Sequence, residues 1–222
     1  FMRKVLPLMS DSLISDYIIK RFRQQRESLL AVDEMTEKII NTLYSTGKLE
    51  NTVIIFTSDN GYFNGEHRIA GGKIQAYEES IRVPLVIRGP DFLEGNKTNQ
   101  LVSNIDIPAT IVDIARAMPE RTLDGRSLIP LLKGEAVPWR TAILLQGMDK
   151  FHVPVVPKSE ITYYGYGRYK AVRTNNFLYV KHDIFDSGTE EELYDLAQDP
   201  YQLISQHNNP FYLSIKNALS GI

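Results

Sequence analysis

The sequence predicts an α/β portion followed by a small antiparallel β-sheet subdomain with a terminal helix. Three observations carry this reading. A long segment ending near Thr46 places apolar residues at helical spacing. The run "TVIIFTS", Thr52 to Ser58, is β-branched and apolar without alternation, the pattern of a strand covered by helices on both faces. Past Asp149 the chain becomes Pro- and Tyr-rich and then breaks into short strands separated by turn signals. The change of texture near 150–160 divides the chain into an α/β part over 1–155 and a small α+β subdomain over 156–222.

The elements follow in order. Ser10-Asp11 or Ser15-Asp16 can cap the first helix. Ile18, Ile19, Phe22, Leu29, Leu30, Val32, Ile39, Ile40 and Leu43 make its apolar face, and Gly47 suits the left-handed residue past its end. "RVPLVIRGP", Arg82 to Pro90, reads as a second short buried strand. "NIDIPATIVDIARAM" reads as a helix with Asp106 as its cap, Pro108 in its first turn, and Ile107, Ile111, Val112 and Ile114 inward. "LDGRSLIPLLKGE" is a turn with a short helical piece, and "RTAILLQG" gives a third strand over Thr141 to Gln146. "YKAVRT", "FLYVKH" and "EELYDL" read as short strands with a tight hairpin at Asn175-Asn176, and "PFYLSIKNALSGI" closes as a helix.

Composition excludes several classes. A net charge of −2 gives no basis for nucleic acid as a partner. No apolar stretch approaches the ~18 residues that span a bilayer. The opening "FMRKVLPLMS" does not read as a signal peptide, since its apolar core is short and no small-residue cleavage site follows. With no cysteine, disulfides, thiolate metal sites and cysteine nucleophiles are excluded. Asn96-Lys97-Thr98 is a glycosylation sequon in a polar loop.

The segment behind "TVIIFTS" gathers the candidate chemistry. Ligands of open α/β sheets collect at the carboxyl ends of strands, where Asp59 and Asn60 stand. A carboxylate beside an amide oxygen suits a hard cation such as calcium, although two donors fall short of the ~6–8 that such a site needs. The competing reading is a turn in which Asp59 and Asn60 bond their own backbone, with Gly61 letting the chain depart sharply. His67 could donate to an anionic oxygen or act as an acid, or simply be an exposed loop histidine. Lys73, behind two glycines, could hold a phosphate or sulfate, but no Walker pattern surrounds it. Glu78, Glu79 and Arg82 read as structural ion pairs between a short helix and the next strand.

Taken whole, "TSDNGYFNGEHRIAGGKIQAYEESIRVPLVIRGP" resembles the sulfatase family of the alkaline phosphatase superfamily. The likeness continues through "NIDIPATIVDIA", "LDGRSLIPLLKG", "WR", "YKAVRTNNFLYV" and "ELYDLAQDPYQL", from about residue 28 to residue 203. The resemblance implies that the α/β part is the C-terminal portion of an alkaline phosphatase-like sandwich. It implies that Asp59 and Asn60 are metal ligands, usually to calcium. It also implies catalytic and substrate-binding roles for Lys73 and His67 at the sulfate ester, His67 being the weaker match.

The family nucleophile is a formylglycine made within a C/S-x-P-S/T-R motif, and no such motif occurs here. "AVPWR", Ala136 to Arg140, has Ala and Trp at the positions that matter and is a decoy. The chain therefore resembles the C-terminal half of a sulfatase, with an incomplete calcium site and the formylglycine expected in the missing N-terminal half. In the complete family enzyme the formylglycine attacks sulfur and the resulting sulfate intermediate is eliminated. The isolated chain is expected to be inactive and to self-associate through exposed core. The implied substrate is a sulfate ester, with a sulfated sugar as one candidate and "ITYYGYGRY" as a conceivable sugar rim. The alternatives are a phosphodiesterase or phosphonate monoester hydrolase of the same superfamily, and a non-catalytic binding module. The family's usual locations are periplasmic, secreted or lysosomal.

Overall fold

Ser10 opens the first helical segment: its Oγ accepts the Leu13 N–H at 3.2 Å. In the computed structural model, which describes residues 8–147, 151–152, 165–166, 168–184 and 188–222, a π-helical stretch Leu13–Ile19 runs directly into helix α1, Lys20–Ser45. Gly47, at φ 67°, ends it as the sequence predicts. The Gly47 N–H returns to Tyr44 O at 3.0 Å and the Lys48 N–H to Leu43 O at 2.8 Å, which satisfies carbonyls of the last turn. The π-helical stretch buries Leu13 and Ile18 against Ala70. The apolar stripe along α1 lies largely uncovered: Leu29 and Leu30 are 60% and 64% exposed, and Ile39 and Ile40 also lie at the surface. Periodicity reports which side chains share a face, not whether anything covers it.

The chain divides into two compact units, one of Phe1–Glu34, Asn60–Val83 and Leu144–Ile222, the other of Met35–Asp59 and Pro84–Ile143. The expected boundary at 155/156 and most of the Tyr-rich segment lie outside the described residues.

In the second unit, strand β1 (Ile54–Thr57) pairs antiparallel with β2 (Leu85–Arg88), in a register that sets Ile55 opposite Ile87 and Phe56 opposite Val86. Both strands were expected to be buried, and neither is. Phe56 and Val86 share one face and are 43% and 61% exposed, while Ile55 and Ile87 are half-buried. Among the described residues β1 pairs with β2 alone, and a two-stranded ribbon cannot cover its own faces.

The helix Asp106–Ile114 forms where expected, but Asp106 is not its cap. Its fully buried carboxylate accepts from Nη1 and Nη2 of Arg140, at 2.6 and 2.7 Å, and from the backbone N–H groups of Ser103 and Arg126, each at 2.8 Å. Burial works against this charge, but the Arg140 and backbone donors outweigh it and hold the pKa below the usual carboxylate range. The buried face is Asp106, Ala109 and Thr110, whereas Ile111, expected inside, is 51% exposed. Thr110 Oγ1 donates to Asp106 O and accepts from Leu128 N, which ties this helix to the short helix Ile129–Leu132. Gly125 is required here, since a Cβ would sit 1.9 Å from Ile105 O.

Strands β3 (Ala142–Gly147), β6 (Arg168–Thr174), β7 (Phe177–Ile184) and β8 (Gly188–Asp195) form one sheet in the order β3-β6-β7-β8. The third predicted strand thus joins the small sheet. A separate short pair links β4 (Phe151–His152) with β5 (Gly165–Tyr166). The predicted hairpin at Asn175-Asn176 joins β6 and β7, closed by Thr174 Oγ1 accepting the Phe177 N–H at 3.0 Å. Alternation along the paired strands puts Tyr169, Ala171, Leu178, Val180, His182, Glu192 and Tyr194 on one face. Most of that face builds one core with Phe63, Ile69, Ala76 and Tyr77 of the loop 60–83. The closing helix, Leu213–Ser220, forms as predicted. No described helix is long and apolar enough to cross a membrane.

Candidate functional site in the loop 60–83

The loop is shaped by close backbone approaches. The Gly61 N–H donates to Ser80 O at 2.8 Å, and a Cβ at Gly61 would lie 1.9 Å from Glu79 O, so only glycine fits. Phe63, wholly buried, pairs its N–H with Gly72 O at 2.8 Å. From the helical side, Arg21 donates to the carbonyls of Ala70 and Phe63 and lies over the rings of Tyr17 and Tyr62. Gly71 leaves room for that guanidinium, which a Cβ would meet at 2.1 Å.

Within this frame the structure brings Asn60 and Lys73 together. Lys73 Nζ donates to Asn60 Oδ1 at 2.7 Å, while Asn60 Nδ2 donates to Gly61 O at 2.9 Å. The second bond is the local backbone contact that the turn reading anticipates; the first is not local. Lys73 itself is exposed. Asp59 is also exposed, and its carbonyl accepts from Asn104 Nδ2 at 3.1 Å.

His67 is not an exposed loop histidine. It is buried at φ 54°, stacked on Tyr77 with ring centroids 3.9 Å apart, and edge-on to Phe63. Its Nε2 lies 3.4 Å from Glu79 Oε2, longer than an ordinary hydrogen bond but within ion-pair reach. Burial opposes ionisation of Glu79, but the His67 contact prevails and lowers its pKa. Tyr77 is anchored in turn: its hydroxyl donates to Glu192, which also takes His182 Nε2 at 2.6 Å and the Tyr194 hydroxyl. Glu192 is 1% exposed. Burial works against its charge, yet His182 first, with Tyr194, helps bring its pKa down to about 2. Burial and the Glu192 charge push the Tyr194 phenol up.

The predicted ion pairs around the short helix Glu78–Ile81 are present but differently partnered. Glu78 meets Arg82 only at 3.8 Å, and its main partner is Arg173 of β6, with Nε at 2.7 Å and Nη2 at 3.3 Å. Tyr169 and Ser80, which sequence reasoning passed over, hold the residue after Lys73: the Tyr169 hydroxyl donates to Ile74 O at 2.6 Å, and Ser80 Oγ accepts the Ile74 N–H at 2.9 Å. Nothing in the sequence marks either one, because the partners are distant or unremarkable in type.

The donor set suits a hard cation in kind but not in number. Asp59 and Asn60 carry oxygen donors, whereas calcium takes about 6–8. Among the described residues no group of three or more His, Asp or Glu side chains is placed to hold a metal.

Comparison with known proteins adds a family. The sulfatase family model matches residues 15–117. N-acetylglucosamine-6-sulfatase of Bos taurus is 33% identical over 217 residues, covering 89% of this chain and 38% of that protein. N-acetylglucosamine-6-O-sulfatase of Bacteroides thetaiotaomicron is 32% identical over 200 residues, covering 88% of this chain and 34% of its own length. A solved structure of a protein in complex with its substrate D-glucosamine-2-N,6-O-disulfate superimposes with a TM-score of 0.70 at 29% identity, over 87% of this chain and 37% of that one. The phosphonate monoester hydrolase of Silicibacter pomeroyi gives the same TM-score, 0.70, at 26% identity, over 86% and 37%. The chain thus spans 34–38% of the curated relatives named.

Proposed function

The chain belongs to the sulfatase family, and from that premise we propose that it contributes one wall of the active site of an enzyme hydrolysing a sulfate ester. The observation that supports this reading is the Lys73–Asn60 contact of 2.7 Å, formed between two residues whose match to the family motif implies a sulfate-binding lysine and a metal ligand. Lys73 Nζ, charged and exposed, donates to a sulfate oxygen and offsets the charge that develops on the transferred group. Asp59 and Asn60 would give two oxygen donors to a calcium ion, which would need its remaining donors from elsewhere. Calcium, when bound, supplies a Lewis acid for that same charge. His67 faces Glu79 through Nε2, so a part in proton transfer at the substrate falls to its Nδ1 or needs a turn of the ring.

The proposed substrate class is a 6-O-sulfated amino sugar. The two N-acetylglucosamine-6-sulfatase relatives and the glucosamine-disulfate complex support it. The nucleophile is a formylglycine outside this chain, since no precursor motif occurs in it. The isolated chain accordingly should not turn over, and its exposed apolar side chains on α1 and β1 should make it self-associate. A location outside the cytosol is supported by relatives such as the extracellular sulfatase homologue of Drosophila melanogaster, 38% identical over 106 residues.

A second reading, phosphonate monoester or phosphodiester hydrolysis, is favoured by the Silicibacter pomeroyi likeness. The test is turnover by the full-length protein of matched aryl sulfate, phosphonate monoester and phosphodiester substrates. Preference for the sulfate supports the first reading, preference for a phosphorus ester the second, and rapid sulfate turnover by the isolated chain would contradict the half-site account.

A further inference from the structure

Ile74, the residue after Lys73, has φ 111°. For a β-branched residue this is a genuine outlier, and such a conformation persists only where its surroundings over-determine it. Here they do so through the two peptide groups that flank Ile74. The buried Tyr169 hydroxyl donates to Ile74 O at 2.6 Å, and the buried Ser80 Oγ accepts the Ile74 N–H at 2.9 Å. Neither partner belongs to the glycine-rich stretch that it fixes. Tyr169 is held by the sheet, opposite His182 on β7, and its ring lies on Gly147, where an added Cβ would stand 1.9 Å from Tyr169 Cε1. On the other side of Lys73, Arg21 holds Ala70 O.

We infer that Tyr169, together with Ser80, is a positioning residue for Lys73: it fixes the strained Ile74 peptide so that the lysine leaves the backbone aimed at Asn60. This rests on the reading of Lys73 as a sulfate-binding residue. Before the lysine the Phe63 N–H holds Gly72 O at 2.8 Å, and after it Tyr169 and Ser80 hold Ile74, so Lys73 leaves the backbone between two fixed points. Burial also raises the Tyr169 phenol to about 12, which keeps its proton in place for donation at any pH where the enzyme would work.

The test is a double-mutant cycle in the full-length protein, with kcat and KM measured on an aryl sulfate. Tyr169→Phe keeps the ring and removes only the donor; it is expected to lower kcat/KM about tenfold, the size of a small misplacement of a catalytic group. In a Lys73→Ala background the same change should add less than about twofold, because its effect passes through the lysine. An equal loss in both backgrounds, or no loss in either, overturns the inference. Should Tyr169→Phe fail to fold, Ser80→Ala takes its place in the cycle with the same expectation. If Lys73→Ala itself is as active as the parent, the sulfate-binding reading falls, and amide hydrogen exchange still decides the positioning. Tyr169→Phe should speed exchange at residues 72–75 while leaving 178–182 unchanged. Unchanged exchange at 72–75 would overturn the inference whatever the activity.

Discussion

Lys73 Nζ and Asn60 Oδ1, thirteen residues apart in sequence, meet at 2.7 Å. The meeting depends on how closely the chain folds back on itself behind Asn60. Gly61 permits that approach, since a Cβ there would stand 1.9 Å from Glu79 O, a backbone atom that cannot swing aside. Gly61→Ala is therefore expected to destabilise the first unit by about 1–3 kcal/mol through overpacking. A lowered urea midpoint would show it; an unchanged midpoint would mean that the loop is softer than this contact implies.

Buried and half-buried carboxylates make stability depend on pH in a definite direction. Glu192, Glu79 and Asp106 all have folded-state pKa values below their ordinary ones, Glu192 at about 2 against a reference of 4.5. Above the ordinary value their stabilisation is complete. As pH falls through the folded values the unfolded chain binds protons first and stability is lost. The urea midpoint should be flat near neutrality and fall between about pH 4.5 and 2. Glu192→Gln should reduce that fall, and a midpoint equal at pH 3 and pH 6 in the parent would contradict the assignment.

Arg140 and Asp106 form the corresponding anchor of the second unit. Removing the guanidinium strands a fully buried carboxylate that retains only its two backbone donors. Arg140→Ala is expected to cost about 3–5 kcal/mol. Arg140→Lys should recover little of it, because an ammonium cannot bridge both Asp106 oxygens as the fork does. Chemical denaturation of both variants gives the comparison, and a lysine variant as stable as the parent would refute the bidentate argument.

What the sequence made legible was local. Gly47 as the helix end, the hairpin at Asn175-Asn176 and the closing helix depend on neighbours within a few residues, and each formed where expected. The contacts that assemble the site are long-range. Tyr77 reaches Glu192 across 115 residues and Arg173 reaches Glu78 across 95, so no window of sequence holds both partners. Asp106, one residue before an Ile-Pro pair, has the pattern of a helix cap, yet Arg140 thirty-four residues later claims its oxygens. His67 looked like a surface histidine because polarity near it in sequence is no measure of what packs on it in space. The stripe of α1 and the run of β1 were correctly apolar, but an apolar pattern does not reveal whether anything covers it.

The most direct test of the central claim is kcat/KM for an aryl sulfate by the full-length protein, with and without Lys73→Ala. If Lys73 binds the sulfate through charge, its removal should lower kcat/KM by about 10²–10³-fold, the scale of losing one preorganised donor to a developing charge. The exposed position of Lys73 means that thermal stability should change little. Activity within about twofold of the parent would contradict the account.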